Sequence, residues 1–372
     1  MTREDRWYLA SCWNLGSAVR ERILREAGGI DGVFAAPDAA IRDAAFLSGR
    51  QKEEILRVRR EASGILRDRE KWERMGMRFL SREDPAFPGR LREIPDPPAG
   101  IFVIGSLPSD RCAFLAVVGA RKCSPYGEAC ARTLSASAAR AGAVVVSGMA
   151  AGIDGIAQQA ALASGTGACP SIAVLAGGAD RVYPAENRGL YRALCEKGAV
   201  ISENPPGTVP APFRFPQRNR LIAGLSDTVL VVEARAGSGS LITADQALEQ
   251  GRSVLAVPGN IFSENSEGCN RLIRQGAVPI CSERDLLEEL RLMPGEEPAE
   301  EEVCVTGREY DLISLFPPRG ETVHFEDLLF RSRYPSGDLS LLLLHLEQAG
   351  LVRAERSGFY QRTGKKPVCP RR

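Results

Sequence analysis

The chain has 372 residues, 44% hydrophobic and 26% charged, with a formal net charge of +1; it is long enough for two or three modules and excludes a globally basic nucleic-acid binder, so any polyanion site must gather its charge into a patch. Ten cysteines fall without a C-x-x-C pair, which indicates neither a zinc centre nor a disulfide framework and fits small buried hydrophobes in a reducing cytosol. No metal and no cofactor is expected, and the two histidines, His324 and His345, leave the glycine-rich middle of the chain without an imidazole for acid–base work.

The N-terminus, MTREDRWYLASCW, has no apolar run of signal-peptide length, and no 18-residue apolar stretch follows. A cytoplasmic protein with no membrane contact is therefore expected. Residues 1–75 read as a helical module: Leu15, Val19, Ile23 and Leu24 keep near-helical spacing, Gly28 and Gly29 stop it, and a charged helix runs from Gln51 to Arg74. LGSAVRERILREAGGIDGVF is compatible with a helix-hairpin-helix unit that offers backbone N–H groups to a phosphate. The unclear spacing of its glycines favours plain helical packing.

From residue 76 to 292 strand and helix signals alternate. Met77–Leu80 and Ile101–Ile104 are short strands separated by the proline-rich DPAFPGRLREIPDPPAG, which cannot hold a long helix. Strands follow at Phe114–Val118, Val144–Ser147, Ile172–Ala176, Val200–Ser202, Thr228–Glu233 and Val254–Val257. Between them lie helical runs near Gly127–Ala141, Ile153–Ser164, Glu186–Lys197, Leu241–Gln250 and Glu267–Gln275. Continuous apolar strands alternating with helices predict a doubly wound, mostly parallel α/β sheet covered on both faces, a Rossmann-like fold. Residues 293–303 are an acidic, proline-containing linker. Residues 304–363, with three short helices and two strands, match a winged helix, but the third helix, from Asp338 to Gly350, has no Lys or Arg. It suits protein contact or packing better than a DNA groove. The basic tail, 364–372, is expected to lack structure.

In a sheet of this kind ligands sit at the carboxyl ends of the strands. Here those ends carry Gly119-Ala120-Arg121-Lys122, Ser147-Gly148 through Gly152-Ile153-Asp154, Gly177-Gly178-Ala179-Asp180-Arg181, and Gly237-Ser238-Gly239-Ser240. Glycines admit a close backbone approach and helix N-termini present N–H groups to anions, so the rim suits phosphates. Tight turns of this type need glycine in any case. The first turn, GARKCSPYG, is not G-x-G-x-x-G, so a dinucleotide cofactor is not expected. The segment Phe213–Arg235 sets Arg214, Arg218 and Arg220 among Phe213, Phe215 and Asn219. Guanidinium groups pair with phosphates and aromatic faces stack on unpaired bases, a mixture suited to single-stranded nucleic acid. The alternative is a loop whose rings plug the core and whose arginines are solvated.

The motifs SGMAAGID, YPAENRGLY, ISENPPG, FPQRNRLIAGLS, VVEARAGSGSLITADQALEQGR and AVPGNI occur in the order and spacing of the DprA/Smf family of DNA-processing proteins, which the chain resembles over nearly its whole length. The resemblance implies a core that binds single-stranded DNA, forms a homodimer and loads the recombinase RecA during natural transformation, with a helical N-terminal domain and a winged-helix tail. It places the DNA-binding positions on Gly119 and Arg121 of the first turn, where Ala120 replaces the usual hydroxyl residue. Phe215, Arg218, Asn219 and Arg220 fall on the F-P-x-R-N-R motif. Lys122, Ser147, Gly148, Gly152, Gly178, Arg181, Arg188, Gly237, Ser238, Gly239 and Ser240 complete the expected DNA-binding set. Gln158 stands where the family usually has His, and no catalytic residue is expected. The competing reading is a nucleotide-binding phosphoribohydrolase of the lysine-decarboxylase-like type using Glu233 or Asp154, although Ala236–Ser240 only partly echoes its P-G-G-x-G-T turn.

Overall fold

The computed structural model describes residues 1–292, 302–317, 322–354, 358–362 and 366–368. The chain divides into two compact units, Met1–Met293 and Pro294–Arg372.

The first unit opens with helices α1 (Arg3–Ser11), α2 (Ser17–Glu26), α3 (Ile30–Ala35), α4 (Asp38–Asp43) and α5 (Gly49–Arg74). Both α1 and α5 start on capping boxes, Thr2 with Asp5 and Ser48 with Gln51, which satisfy backbone N–H groups that no helical carbonyl can reach. Strand β1 (Met77–Ser81) follows, then α6 (Gly89–Arg92), confined to four residues by the flanking prolines, and β2 (Gly100–Gly105). The α/β region then runs β3 (Phe114–Val118), α7 (Pro125–Arg140), β4 (Val144–Ser147), α8 (Ile153–Ser164), β5 (Ser171–Val174), α9 (Arg188–Lys197) and β6 (Ala199–Ser202). It closes with α10 (Arg214–Leu225), β7 (Thr228–Val231), α11 (Gly239–Glu249), β8 (Ser253–Ala256), α12 (Glu267–Arg274), β9 (Val278–Pro279) and α13 (Glu283–Glu289).

Among the described residues of this unit, nine strands form one sheet in the order β1-β2-β6-β5-β4-β3-β7-β8-β9. From β6 to β9 all pairings are parallel, as the alternating pattern predicts. The β1–β2 and β2–β6 pairings are antiparallel. Alternate residues of β3 serve opposite faces. Phe114, Ala116 and Val118 pack with Leu221 and Leu225 of α10 and Leu241 of α11, whereas Leu115 and Val117 pack with Leu134 of α7, Ile153 of α8 and Leu286 of α13. The N-terminal helices share a core with β1, β2, β5 and α9. Its centre is a ring cluster in which Tyr8 meets Phe79 at 5.1 Å and Phe102 at 5.5 Å, both edge-on. Among the described residues no helix is long and apolar enough to cross a membrane.

The second unit contains β10 (Glu302–Cys304), α14 (Gly307–Ile313), β11 (Thr322–His324), α15 (Phe325–Ser332), α16 (Ser336–Gln348), β12 (Val352–Ala354), β13 (Phe359–Arg362) and β14 (Lys366–Val368). Leu312, Leu328, Leu339, Leu343 and Leu346 form its core beneath a three-stranded sheet ordered β11-β13-β12. Within the tail expected to lack structure, Lys366–Val368 instead form β14, paired in parallel with β10, because the backbone groups of one short strand complete those of the other. Most of the acidic linker, residues 293–301, residues 355–357 and tail residues 364, 365 and 369–372 lie outside the described residues.

Candidate nucleic-acid interface

Strand order reverses beside β3: the chain winds outward through β4, β5 and β6, then returns to lay β7 on the other side of β3. Ligand crevices of open α/β sheets form at such a switch point. The loops after β3 and β7 flank it, and the β3 loop is hemmed in: a Cβ on Gly119 would lie 2.7 Å from Cγ1 of Ile153, at the start of α8, and 3.0 Å from the Glu233 carbonyl oxygen of the β7 loop. Gly152, at φ +75°, packs directly on the Ala120 carbonyl, and the neighbouring Ile153 N–H donates to the same oxygen at 3.2 Å. These contacts fix the turn that carries Arg121 and Lys122, both exposed.

Arg121 lies over the Phe215 ring, its Cζ 5.2 Å from the centroid. Tyr183 also packs against Phe215, centroids 5.6 Å apart and planes tilted by 49°. The result is a row of one cation and two rings on the rim, with Tyr183 47% exposed. Tyr183 was absent from the DNA-binding positions drawn from sequence. An aromatic residue closing a rim loop, immediately before Pro184, was the signal available.

The other members of the F-P-x-R-N-R motif lie beneath this row. The segment is not a loop: it is the first half of α10, and Arg218, Asn219 and Arg220 are all buried. Nη1 of Arg218 donates to the carbonyls of Gly148, at 2.9 Å, and of Val174, while the Gly148 N–H donates to Oδ2 of Asp154 at 3.1 Å. A side chain at Gly148 would overlap the Arg218 guanidinium, which accounts for the glycine. Burial lowers the Arg218 pKa to about 10, opposed by Asp154 and reinforced by the neighbouring Arg121. Burial raises the Asp154 pKa, opposed by Arg218 and the Gly148 N–H. Asn219 Nδ2 donates to the Gly239 carbonyl at 3.2 Å and so ties α10 to the start of α11. Arg220 pairs with Asp96 at 2.9 Å and Glu203 at 2.5 Å. Arg218 and Arg220, expected to hold phosphates, are thus buried, with both guanidinium groups engaged by internal acceptors.

The remaining expected positions divide in the same way. Ser147 is fully buried and donates from Oγ to the Val117 carbonyl at 2.6 Å, and Gly178 is buried with its N–H on the Thr208 carbonyl. Arg181 is half-exposed beside Asp180 at 3.2 Å, and Arg188 is exposed at the start of α9. Gly237 and Gly239 are exposed, Ser238 caps α11, and Ser240 is buried with its N–H on Ser238 Oγ. Glu233 is buried and accepts from Ser124 at both Oγ (2.5 Å) and N–H (2.9 Å), so this carboxylate anchors the start of α7. Among the described residues no group of three or more His, Cys, Asp or Glu is placed to hold a metal ion.

The family model described as DNA recombination-mediator protein A matches residues 78–291. DNA processing protein DprA of Bacillus subtilis is 42% identical over 217 residues, covering 58% of this chain and 72% of that protein. The X-ray structure of DNA processing protein A from Streptococcus pneumoniae superposes with a TM-score of 0.66 at 33% identity, over 76% of this chain and 97% of that one. DNA processing protein A of Helicobacter pylori, whose structure is titled for its unique single-stranded DNA binding mode, gives 0.52 at 28% identity over 58% and 95% of the two chains. The sheet order, the glycine-supported rim and these matches together place the chain in the DprA/Smf family of DNA recombination-mediator proteins.

Proposed function

We propose that the chain binds single-stranded DNA along the rim of its parallel sheet, protects it, and delivers it to the recombinase RecA during natural transformation. The observation that carries this reading is the Arg121–Phe215–Tyr183 row: a cation for the phosphates beside rings for the bases, on a scaffold with close-approach glycines. The single-stranded DNA binding named for the Helicobacter pylori relative supports it. Lys122, Arg181 and Arg188 add exposed charge, the loops at Gly119, Gly152 and Gly237–Ser240 admit the backbone of the strand, and Arg218, Asn219 and Arg220 hold the rim from below. The working protein is a cytoplasmic homodimer without a cofactor. Its modules are a helical domain (1–75), the DNA-binding core (76–292), a linker (293–303), a winged-helix domain (304–363) and a tail (364–372).

Oligo-dT affinity measured against salt tests this directly. The logarithm of affinity should fall by roughly 0.7 per log unit of salt for each phosphate neutralised, and Arg121→Ala should shallow that slope by about one phosphate. An unchanged slope in that variant removes Arg121 from the interface. Order-of-addition assays with RecA and a single-strand-binding competitor test delivery. RecA filaments that form no faster with the protein than without it refute that part.

A further inference from the structure

Away from the rim row, a cleft of about 840 Å³ opens between the N-terminal helices and the start of α10. Its wall holds six arginines and three carboxylates, and those carboxylates are already paired, Glu203 with Arg20 and Arg220, Asp96 with Arg220, and Glu54 with Arg57. Arg214 is different. Its Nη1 donates to Asn204 Oδ1 at 2.5 Å and its Nη2 to Asn14 Oδ1 at 3.1 Å, both neutral amide oxygens. A phosphate oxygen carries a formal negative charge that an amide oxygen lacks, so it adds Coulomb attraction and bidentate geometry and is the stronger partner for a guanidinium. Arg50 stands exposed on the opposite wall.

The short segment Phe213-Arg214-Phe215 joins this cleft to the rim. Phe215 meets Arg121 and Tyr183, whereas Phe213 lines the cleft, 58% exposed, with Cζ of Arg214 5.0 Å from its ring centroid. The ring-and-guanidinium arrangement of the rim is thus repeated two residues away. A volume of this size accommodates at least one nucleotide.

We propose that a bound single strand does not end at the rim but crosses Phe213–Phe215 and places a further nucleotide in this cleft, with its phosphate on Arg214 and Arg50 and its base against Phe213. The N-terminal helices are then one wall of the strand's path as well as a packing element. This inference rests on the single-strand reading above, and the test separates the two.

The full-length protein is titrated with oligo-dT of graded length, from about 4 to about 20 nucleotides, at fixed salt. Arg121→Ala should weaken binding at every length. Arg214→Gln and, separately, the exposed Arg50→Gln should leave the shortest oligomers unaffected and cost about tenfold for the longest, the size of one charge-assisted contact. Thermal melting of the exposed Arg50→Gln should match the parent, and Arg214→Gln, which gives up its bonds to Asn204 and Asn14, is titrated below its own melting range. Affinity that is independent of length in the parent, or equal losses at all lengths in both cleft variants, overturns the second subsite while leaving the rim intact. Binding of free dTMP that survives Arg121→Ala but is lost in Arg214→Gln, without any length effect, reassigns the cleft to a soluble nucleotide and overturns the continuous path. A parent that ignores oligo-dT altogether overturns the rim reading, and this inference with it.

Discussion

Arg218 offers the sharpest separation of framework from contact. Replacing it with Met keeps the apolar stem and removes the guanidinium, so the Gly148 and Val174 carbonyls lose their donor and Asp154 is left buried without its cation. Leaving a buried carboxylate without its compensating cation costs about 3–5 kcal/mol, and a unit of this size loses about 2–4 °C in Tm per kcal/mol, so a fall of about 6–20 °C is expected. The pH dependence has a definite sign. Burial already raises the Asp154 pKa above its ordinary 3.8, and Arg218 opposes that shift. An acid with a raised folded-state pKa favours folding below its unfolded value and loses that contribution as pH rises through the folded one. Without Arg218 the folded value climbs further, so the Tm gap between parent and variant should widen as pH increases from the acid side. Adding Asp154→Asn to Arg218→Met should recover part of the loss, because no uncompensated carboxylate remains. Differential scanning calorimetry across pH, with oligo-dT binding measured below the lower melting range, reads all of this. An unchanged Tm together with abolished binding would show that the guanidinium reaches the strand, and the framework role would be wrong.

The rim row predicts a different signature. Phe215→Ala and Tyr183→Ala should each weaken oligo-dT binding by about 1–3 kcal/mol if a base stacks there, measured by fluorescence anisotropy, and preserved affinity in both excludes stacking on this pair. Gly152→Ala forces a side chain against the Ala120 carbonyl at a positive φ; a loss of about 1–3 kcal/mol in denaturant unfolding is expected, and a neutral result means that the loop is free to move. Glu233→Gln removes the charged acceptor at the start of α7. It should lower stability by about 1–3 kcal/mol and leave oligo-dT affinity for the folded protein unchanged, whereas a folded variant that no longer binds would bring Glu233 into the interface.

The fold was legible because its signals are local. Strands such as Phe114–Val118 and Val144–Ser147 are short apolar runs bounded by glycine or serine, and they appear at those bounds. The two-residue strand β9 was not, since Val278–Pro279 carries no period and depends on β8 for its pairing. The site was half legible for a related reason. That arginine, phenylalanine and glycine gather on one rim follows from strand ends, which the sequence marks. Which arginine faces water does not. Arg218 is taken inward by carbonyls 70 and 44 positions away, and Arg220 by Glu203 and Asp96, while Arg121 finds a ring, Phe215, that leaves its guanidinium exposed. A motif dense in arginine is therefore compatible with two physical roles, and the position of the nearest internal acceptor decides between them. In this rim the buried guanidinium fixes the glycine loop and the exposed one faces solvent. A nearly neutral chain can in this way present a local cationic edge without a basic surface.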